Sequence, residues 1–406
     1  MMGCKGYKGN FNGYFFHCFG HFETLIYMGS FLGVIFHFLG GFASGSFYIP
    51  YKKVRGWAWE SYWIVGGLFS WLIVPPLAAY LTIPNFGEII SATSGKILGL
   101  TYMFGLLWGI GGLTYGLGVR YLGVSLGSSI MLGLSMVIGA LIPAIYYDFF
   151  PQVGKDSFSL LTGNNWGLVV LAGLAVCIVG IVLCGKAGMM KDKEMGAAAN
   201  TDPHGTEVKT EFKFGIGLTV AIISGILSAC FNFALESGKE MAVVANEAWK
   251  LANPGEGEFL FQNNVVYVVV LWGGLTTNFI WCMYLNAKNK TFGDYTNKKT
   301  PILKNIVFAA LAGTTWFLQF FFYGMGESRL GNGPSSWILH MAFIILVANM
   351  WGLILKEWKG VSKKTIATIA AGIIIIIISV LLVGYGNSLR ASGDAEVQTI
   401  TLTKQH

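Results

Sequence analysis

The chain has 406 residues, of which 54% are hydrophobic and 12% charged, with a mean hydropathy of +0.60. A water-soluble domain carries about 25% charged residues, so this composition excludes an ordinary soluble protein and makes lipid the solvent. The net charge of +7 does not indicate nucleic-acid binding, because the basic residues are scattered through short loops. The six cysteines have no CxxC spacing, and four lie inside apolar runs. They read as reduced core residues, with no disulfide framework and no metal site.

Residues 1–27 come first. "MMGCKGYKGNFNGYFFHCFGHFETLI" lacks the clean apolar core and small-residue cleavage site of a signal peptide. It reads as a flexible extension, or as the product of an upstream start codon with the functional chain beginning near Met28. Ten apolar runs follow, near 28–49, 61–83, 97–118, 124–147, 166–186, 213–235, 265–286, 304–324, 335–355 and 365–387. Each is about the 20 residues that a spanning helix needs, and each is too long for a barrel strand. The fold class is therefore an all-α integral membrane protein of ten transmembrane helices. The expected units are a first five-helix repeat at 28–186, a cytoplasmic linker at 187–212, a second repeat at 213–389 and a tail at 390–406.

Lys and Arg concentrate in the odd-numbered loops, for example Lys52, Lys53 and Arg55 after the first run and Lys288, Lys290, Lys298 and Lys299 after the seventh. The positive-inside rule puts those loops in the cytoplasm and both termini outside. The exterior loop 236–264 is acidic. Its "EMAVVANEAWKLA" reads equally as a short amphipathic helix or as plain loop.

One phrase occurs twice. "YGLGVRYLG" at 115–123 closes the third run, and "YGMGESRLG" at 323–331 closes the eighth, at a shift of 208. A fainter echo at a shift of 184 matches Gly33, Gly41, Ser44 and Phe47 with Gly217, Gly225, Ser228 and Phe231. Five helices separate the copies, so the second half is expected to be inverted relative to the first. Inverted repeats build transporters whose substrate sits between the halves.

Ionisable residues inside lipid are costly and mark function. His37 and His340 are the histidines well inside spans, and no Asp or Glu sits near a midplane. They are candidates for proton coupling, since imidazole titrates near neutral pH. The acids at helix ends, Glu60, Glu236, Glu327 and Glu357, are further candidates; for Glu60 and Glu357, beside cations, ordinary loop ion pairing is the plainer reading. A sugar site needs an aromatic platform and amides or hydroxyls for its oxygens. "TTWFLQFFFYG" offers Gln319 among Trp316, Phe320 and Tyr323; Trp108 and Tyr115 share a helix face; Asn232 and Trp337 complete the candidates. The glycines 105, 109, 112 and 116 allow tight helix crossing. "GIGGLTYG" lies within an apolar helix without the Lys-Ser/Thr ending of a nucleotide loop, so nucleotide binding is rejected.

The stretches at 36–75, 104–127, 316–331 and 335–358 resemble the L-rhamnose–proton symporter family of the drug/metabolite transporter superfamily. The resemblance runs from about Met28 to Asn387. It implies a five-plus-five inverted repeat in the bacterial inner membrane, with uptake of L-rhamnose or a similar sugar together with H+, driven by the proton gradient with no other cofactor. The same features leave open an exporter of amino acids or other small solutes, and, in a different class, a sugar sensor that does not transport. A membrane glycosyltransferase usually needs a paired-carboxylate metal site and a sizeable soluble loop, and the sequence has neither. The sequence sets no oligomeric state.

Overall fold

The computed structural model describes residues 11–122, 124–152, 155–195, 213–354 and 358–404. No strand occurs among the described residues, and ten helices are long and apolar enough to cross a membrane. They are α1 (Gly29–Tyr51), α2 (Trp59–Thr82), α3 (Gly95–Gly118), α4 (Gly127–Phe149), α5 (Asn165–Met195), α6 (Gly215–Ser237), α7 (Asn264–Asn289), α8 (Ile302–Leu330), α9 (Gly333–Ile354) and α10 (Lys363–Arg390). Lipid offers the backbone no hydrogen bonds, so apolar segments of this length close their own as helices. The spans follow the apolar runs closely, though α5 reaches Met195 rather than 186 and α8 reaches Leu330 rather than 324. The helix containing α1 begins at Phe11, and the one containing α10 continues to Lys404. Helix therefore enters both the segment read as an extension and the one read as a tail.

The stretch after α6 resolves the open choice there. Lys239–Ala252 is a helix, with Met241, Ala242 and Ala245 buried and Val243 and Val244 exposed. Cys177, Cys184, Cys230 and Cys282 are buried and free. In α2 the segment Leu68–Ile73 is a π-helix. Pro75 and Pro76 follow at once and supply no N–H to the carbonyls one turn earlier. The N–H of Val74 reaches back to the Phe69 carbonyl in the wider turn. Such bulges are frequent at functional sites, and here one carries Trp71.

The principal contacts come in pairs. Helix α1 packs on α8 as α6 packs on α3; α1 meets α9 as α6 meets α4; α2 meets α8 as α7 meets α3. Helices α5 and α10 pack together, as do α2 and α7. Glycine makes the closest crossings possible. A Cβ on Gly313 of α8 would lie 2.0 Å from the Gly66 carbonyl oxygen of α2. A Cβ on Gly105 of α3 would lie 2.2 Å from the Val270 oxygen of α7. Without side chains at these points the backbones meet directly, which is how membrane helices gain dispersion contact. Gly331, at φ +61, ends α8 in the left-handed conformation that glycine adopts without steric cost.

Candidate functional site

The bundle encloses a cavity of about 790 Å³ lined from α1, α2, α3, α4, α6, α7, α8 and α9. This lies within the range of roughly 300–1,000 Å³ usual for small-molecule sites. Its walls are aromatic. Trp108 and Trp316 stack across it with ring centroids 5.6 Å apart and an interplanar angle of 28°. Trp71 stands edge-on to Trp316 at 5.7 Å, and Phe320 at 4.9 Å. Phe231 lies against Phe320 at 4.4 Å. Among the glycines of α3, Gly105 and Gly109 meet α7, whereas a Cβ on Gly112 or Gly116 would meet nothing within 4 Å; Gly109, Gly112 and Gly116 all line the cavity.

Polar groups are few. Gln319 and His340 line the cavity, and the Gln319 Nε2 and His340 Nδ1 atoms are buried without a hydrogen-bond partner among the described residues. A buried amide or imidazole left unpaired costs about 1–3 kcal/mol, so this pair is poised for a ligand. Both touch α1 at one residue: a Cβ on Gly40 would lie 2.9 Å from the Gln319 carbonyl oxygen and 3.4 Å from His340 Nδ1. Asn278 also lines the cavity, but its groups are engaged. Its Oδ1 accepts from Trp63 Nε1 at 3.0 Å, and its Nδ2 donates to the Gly274 carbonyl at 2.9 Å.

Behind His340 lies a second layer. His37 is fully buried and Tyr323 nearly so. The ring centroids of His37 and Tyr323 are 5.2 Å apart, those of Tyr323 and His340 5.1 Å, and those of His37 and His340 6.3 Å. Neither nitrogen of His37 has a partner among the described residues.

The candidates from sequence separate accordingly. Gln319, Trp108, Tyr115, Trp316, Trp337 and His340 come together around the cavity. Tyr115 also donates to Ser128 Oγ at 2.6 Å, and Trp337 Nε1 donates to the Ser135 carbonyl at 3.0 Å. Tyr323 is not in the cavity wall but behind it, against His37. Asn232 is likewise removed from the cavity: its Nδ2 donates to the Gly139 carbonyl at 2.7 Å, tying α6 to α4. Glu60 sits at the start of α2, where its Oε1 accepts from Asn289 Nδ2 at 2.9 Å and Thr291 Oγ1 at 2.8 Å. It therefore fastens the α7–α8 connection rather than serving the cavity. Glu357 lies outside the described residues. Trp59, which falls in a stretch that carries the family resemblance, lines the cavity together with Trp63, Trp71 and Trp281, and these last three were not singled out in the sequence. The i,i+4 spacing of Trp59 and Trp63 was the available signal.

The cavity extends toward the end of the bundle that carries the α1–α2 and α3–α4 connections, where Phe47, Trp59, Tyr115 and Gly116 line it. The opposite end is tied shut by charge. Lys239 Nζ donates to Glu327 Oε1 at 2.8 Å, and Asn263 Nδ2 donates to Glu327 Oε2 at 2.8 Å. Glu236 accepts from Tyr147 at 2.6 Å and from Lys155. These groups join α4, α6, α8 and the segments beside α5 and α7.

Comparison with known proteins agrees with this architecture. The profile described as L-rhamnose-proton symport protein (RhaT) matches residues 27–389. An L-rhamnose-proton symporter of Yersinia pestis (strain Pestoides F) is 35% identical over 352 residues, covering 86% of this chain and 95% of that protein. One of Yersinia pseudotuberculosis (serotype O:1b, strain IP 31758) gives the same figures. Another, of Cronobacter sakazakii (strain ATCC BAA-894), is 33% identical over 356 residues, with the same two shares. With most of its length matched and ten spanning helices around one cavity, the chain belongs to the L-rhamnose-proton symport protein family.

Proposed function

We propose that the chain takes up L-rhamnose, or a related deoxy sugar, together with a proton, by alternating access across the bacterial cytoplasmic membrane. One observation carries this reading. In a chain of this family, the cavity sets aromatic faces beside two polar atoms without a partner among the described residues, Gln319 Nε2 and His340 Nδ1. A pyranose has the complementary halves, a C–H face that lies on indole and hydroxyls that need amide or imidazole partners. The ring lies against Trp108 and Trp316, and Gln319 donates to a hydroxyl. His340, with His37 behind it, carries the proton. The work is transport rather than bond cleavage, and the proton gradient drives it without another cofactor.

A five-plus-five inverted repeat supports the alternating cycle. The helix contacts pair as such a repeat requires, and Trp108 and Trp316 stand 208 positions apart, the shift of the duplicated phrase. A Cβ on Gly33 would lie 2.7 Å from Leu330 Cγ, and a Cβ on Gly217 would lie 2.7 Å from Leu122 Cγ. Both members of that crossing are related by the two sequence shifts, 184 for the glycines and 208 for the leucines. With the lysine-rich loops inside and both termini outside, the cavity faces the cytoplasm and the charged seal faces the exterior. That is the sugar-releasing state of the cycle.

Uptake into right-side-out membrane vesicles, with L-rhamnose, L-fucose and L-lyxose offered side by side, tests the reading. L-Rhamnose is expected to accumulate above equilibrium and to alkalinise the outer medium. Binding without alkalinisation would instead make the chain a sensor. Efflux of amino acids or other small solutes, with no sugar uptake, would make it an exporter.

A further inference from the structure

The geometry points to Glu327 as the proton acceptor at the sealed end, from which the proton passes through His37 to His340 in the cavity. This rests on the symporter reading above and extends it to the route of the coupled ion.

Three features place Glu327 on that route. It stands on the same face of α8 as the cavity residue Gln319 and the second-layer Tyr323, at i+8 and i+4. Eight residues of helix span about 12 Å, which joins the seal to the cavity along one face. Its side chain is only 12% exposed and is held by Lys239 and Asn263. And His37 lies over the backbone one residue before it: a Cβ on Gly326 would be 2.7 Å from His37 Nε2. The imidazole leads with a nitrogen toward the Glu327 turn, and that nitrogen has no partner among the described residues. His37 is surrounded by His340 and Tyr323. Glu327 is faced by Lys239, by Asn263 and Tyr267 at the start of α7, and, across Lys239, by Glu236.

The transfers balance one proton at a time. The Glu327 carboxylate takes H+ from exterior water and becomes a neutral acid. Its attraction to Lys239 falls, and the exterior tie loosens. The acid then donates to His37 and returns to the carboxylate. The centroids of His37 and His340 are 6.3 Å apart in an edge-on contact, so the proton passes between neighbouring imidazoles. His340 receives the proton beside the sugar and releases it once the cavity faces the cytoplasm. Lys239 does not titrate in this window. Burial alone would lower it, but Glu327 beside it outweighs that and holds it above the usual lysine range.

The matching positions at the α3–α6 crossing and in α4 lack this line altogether. The positions matching His37, His340 and Glu327 are Ala221, Leu132 and Val119. A role in holding the helix crossing would be expected at both crossings, whereas a single proton path needs one.

The test uses the full chain in proteoliposomes, read in two ways: uphill L-rhamnose accumulation under an imposed pH gradient, and L-rhamnose exchange at equilibrium. Glu327→Gln is expected to lower accumulation at least tenfold while exchange falls less than threefold. Lys239→Met breaks the same ion pair but keeps the acid, and it is expected to retain accumulation. The double variant Glu327→Gln/Lys239→Met leaves no buried unpaired charge, so it folds where the single change fails, and it too is expected to exchange without accumulating. Full accumulation by Glu327→Gln or by the double variant overturns the inference. So does an equal loss in Glu327→Gln and Lys239→Met, which would make the pair a latch only. A wild-type chain that moves neither sugar nor protons overturns the symporter reading itself and this route with it.

Discussion

The crossing of α1 with α8 and the crossing of α6 with α3 have the same backbone plan and different contents. In the first, Gly326 gives its space to His37. In the second, the counterpart Gly118 lies 3.6 Å (measured from its notional Cβ) from the Cα of Ala221, the counterpart of His37, and the room is taken by the Met131 thioether at 3.1 Å. One crossing is therefore titratable and the other is merely filled. Packing needs alone would give both crossings the same kind of filler, and methionine is the usual one for an irregular gap. The histidine is there in spite of packing, with both nitrogens unpaired among the described residues at a site of zero exposure. The comparison favours the α1–α8 crossing, which joins a helix from each half, over the α3–α6 crossing as the place for the chemistry of coupling.

The largest expected effect comes from emptying the titratable crossing. His340→Ala and His37→Ala should each abolish proton-coupled accumulation, and each should do so more completely than Glu60→Gln, whose carboxylate only fastens a loop. Wild-type uphill uptake by the double histidine variant would erase the distinction between the crossings. Next is a matched pair of glycine changes. Gly326→Ala drives a methyl into the His37 ring, which His340 and Tyr323 hold on its other sides. Overpacking of this kind costs about 1–3 kcal/mol, so both thermal stability in detergent and transport should drop. Gly118→Ala presses on a flexible thioether and should lower the melting temperature far less. Equal shifts would mean that the crossings are equivalent after all. A smaller effect is expected from Gln319→Leu. Loss of one hydrogen bond is worth about 0.5–1.5 kcal/mol, or roughly three- to tenfold in L-rhamnose affinity measured by quenching of tryptophan fluorescence. Its counterpart at a shift of 208 is Gly111, so the first half offers no substitute amide.

The ten spans were legible because lipid imposes one rule on every segment, a run of about 20 apolar residues. Gln319 and His340 were legible for the related reason that an amide or imidazole inside such a run has to be explained. Other parts of the site were not. Asn232 looks like Gln319 in the sequence, yet it is committed to the Gly139 carbonyl, 93 residues away. Only the approach of α6 to α4 distinguishes the two amides. Trp63 and Trp71 were passed over because aromatic residues are common along membrane helices whether or not they meet a ligand. The charged seal was hidden by distance. Lys155 and Lys239 join acids 81 and 88 residues away, and in a positive-inside count they were merely stray lysines on the poorer side.

The smallest expected effect probes where the sugar rests between the halves. Trp108 and Trp316 are counterparts that stack on each other at 5.6 Å, but their backing differs. The Trp108 ring lies on the backbone of α7, where a Cβ on Gly274 would be 2.4 Å from its Cζ3. Trp316 is backed by Trp71 and Phe47, which also line the cavity. Replacing either with Phe keeps an aromatic face and removes part of a contact worth about 0.5–1.5 kcal/mol. Each change should therefore weaken L-rhamnose binding roughly two- to fivefold. A sugar centred between the halves uses both indoles alike, and the two losses should then agree within about twofold. A sugar drawn toward Gln319, which stands one turn beyond Trp316, would make Trp316→Phe the costlier change by a wide margin. That result would move the binding position toward the second half of the chain, next to the α1–α8 crossing proposed to carry the proton.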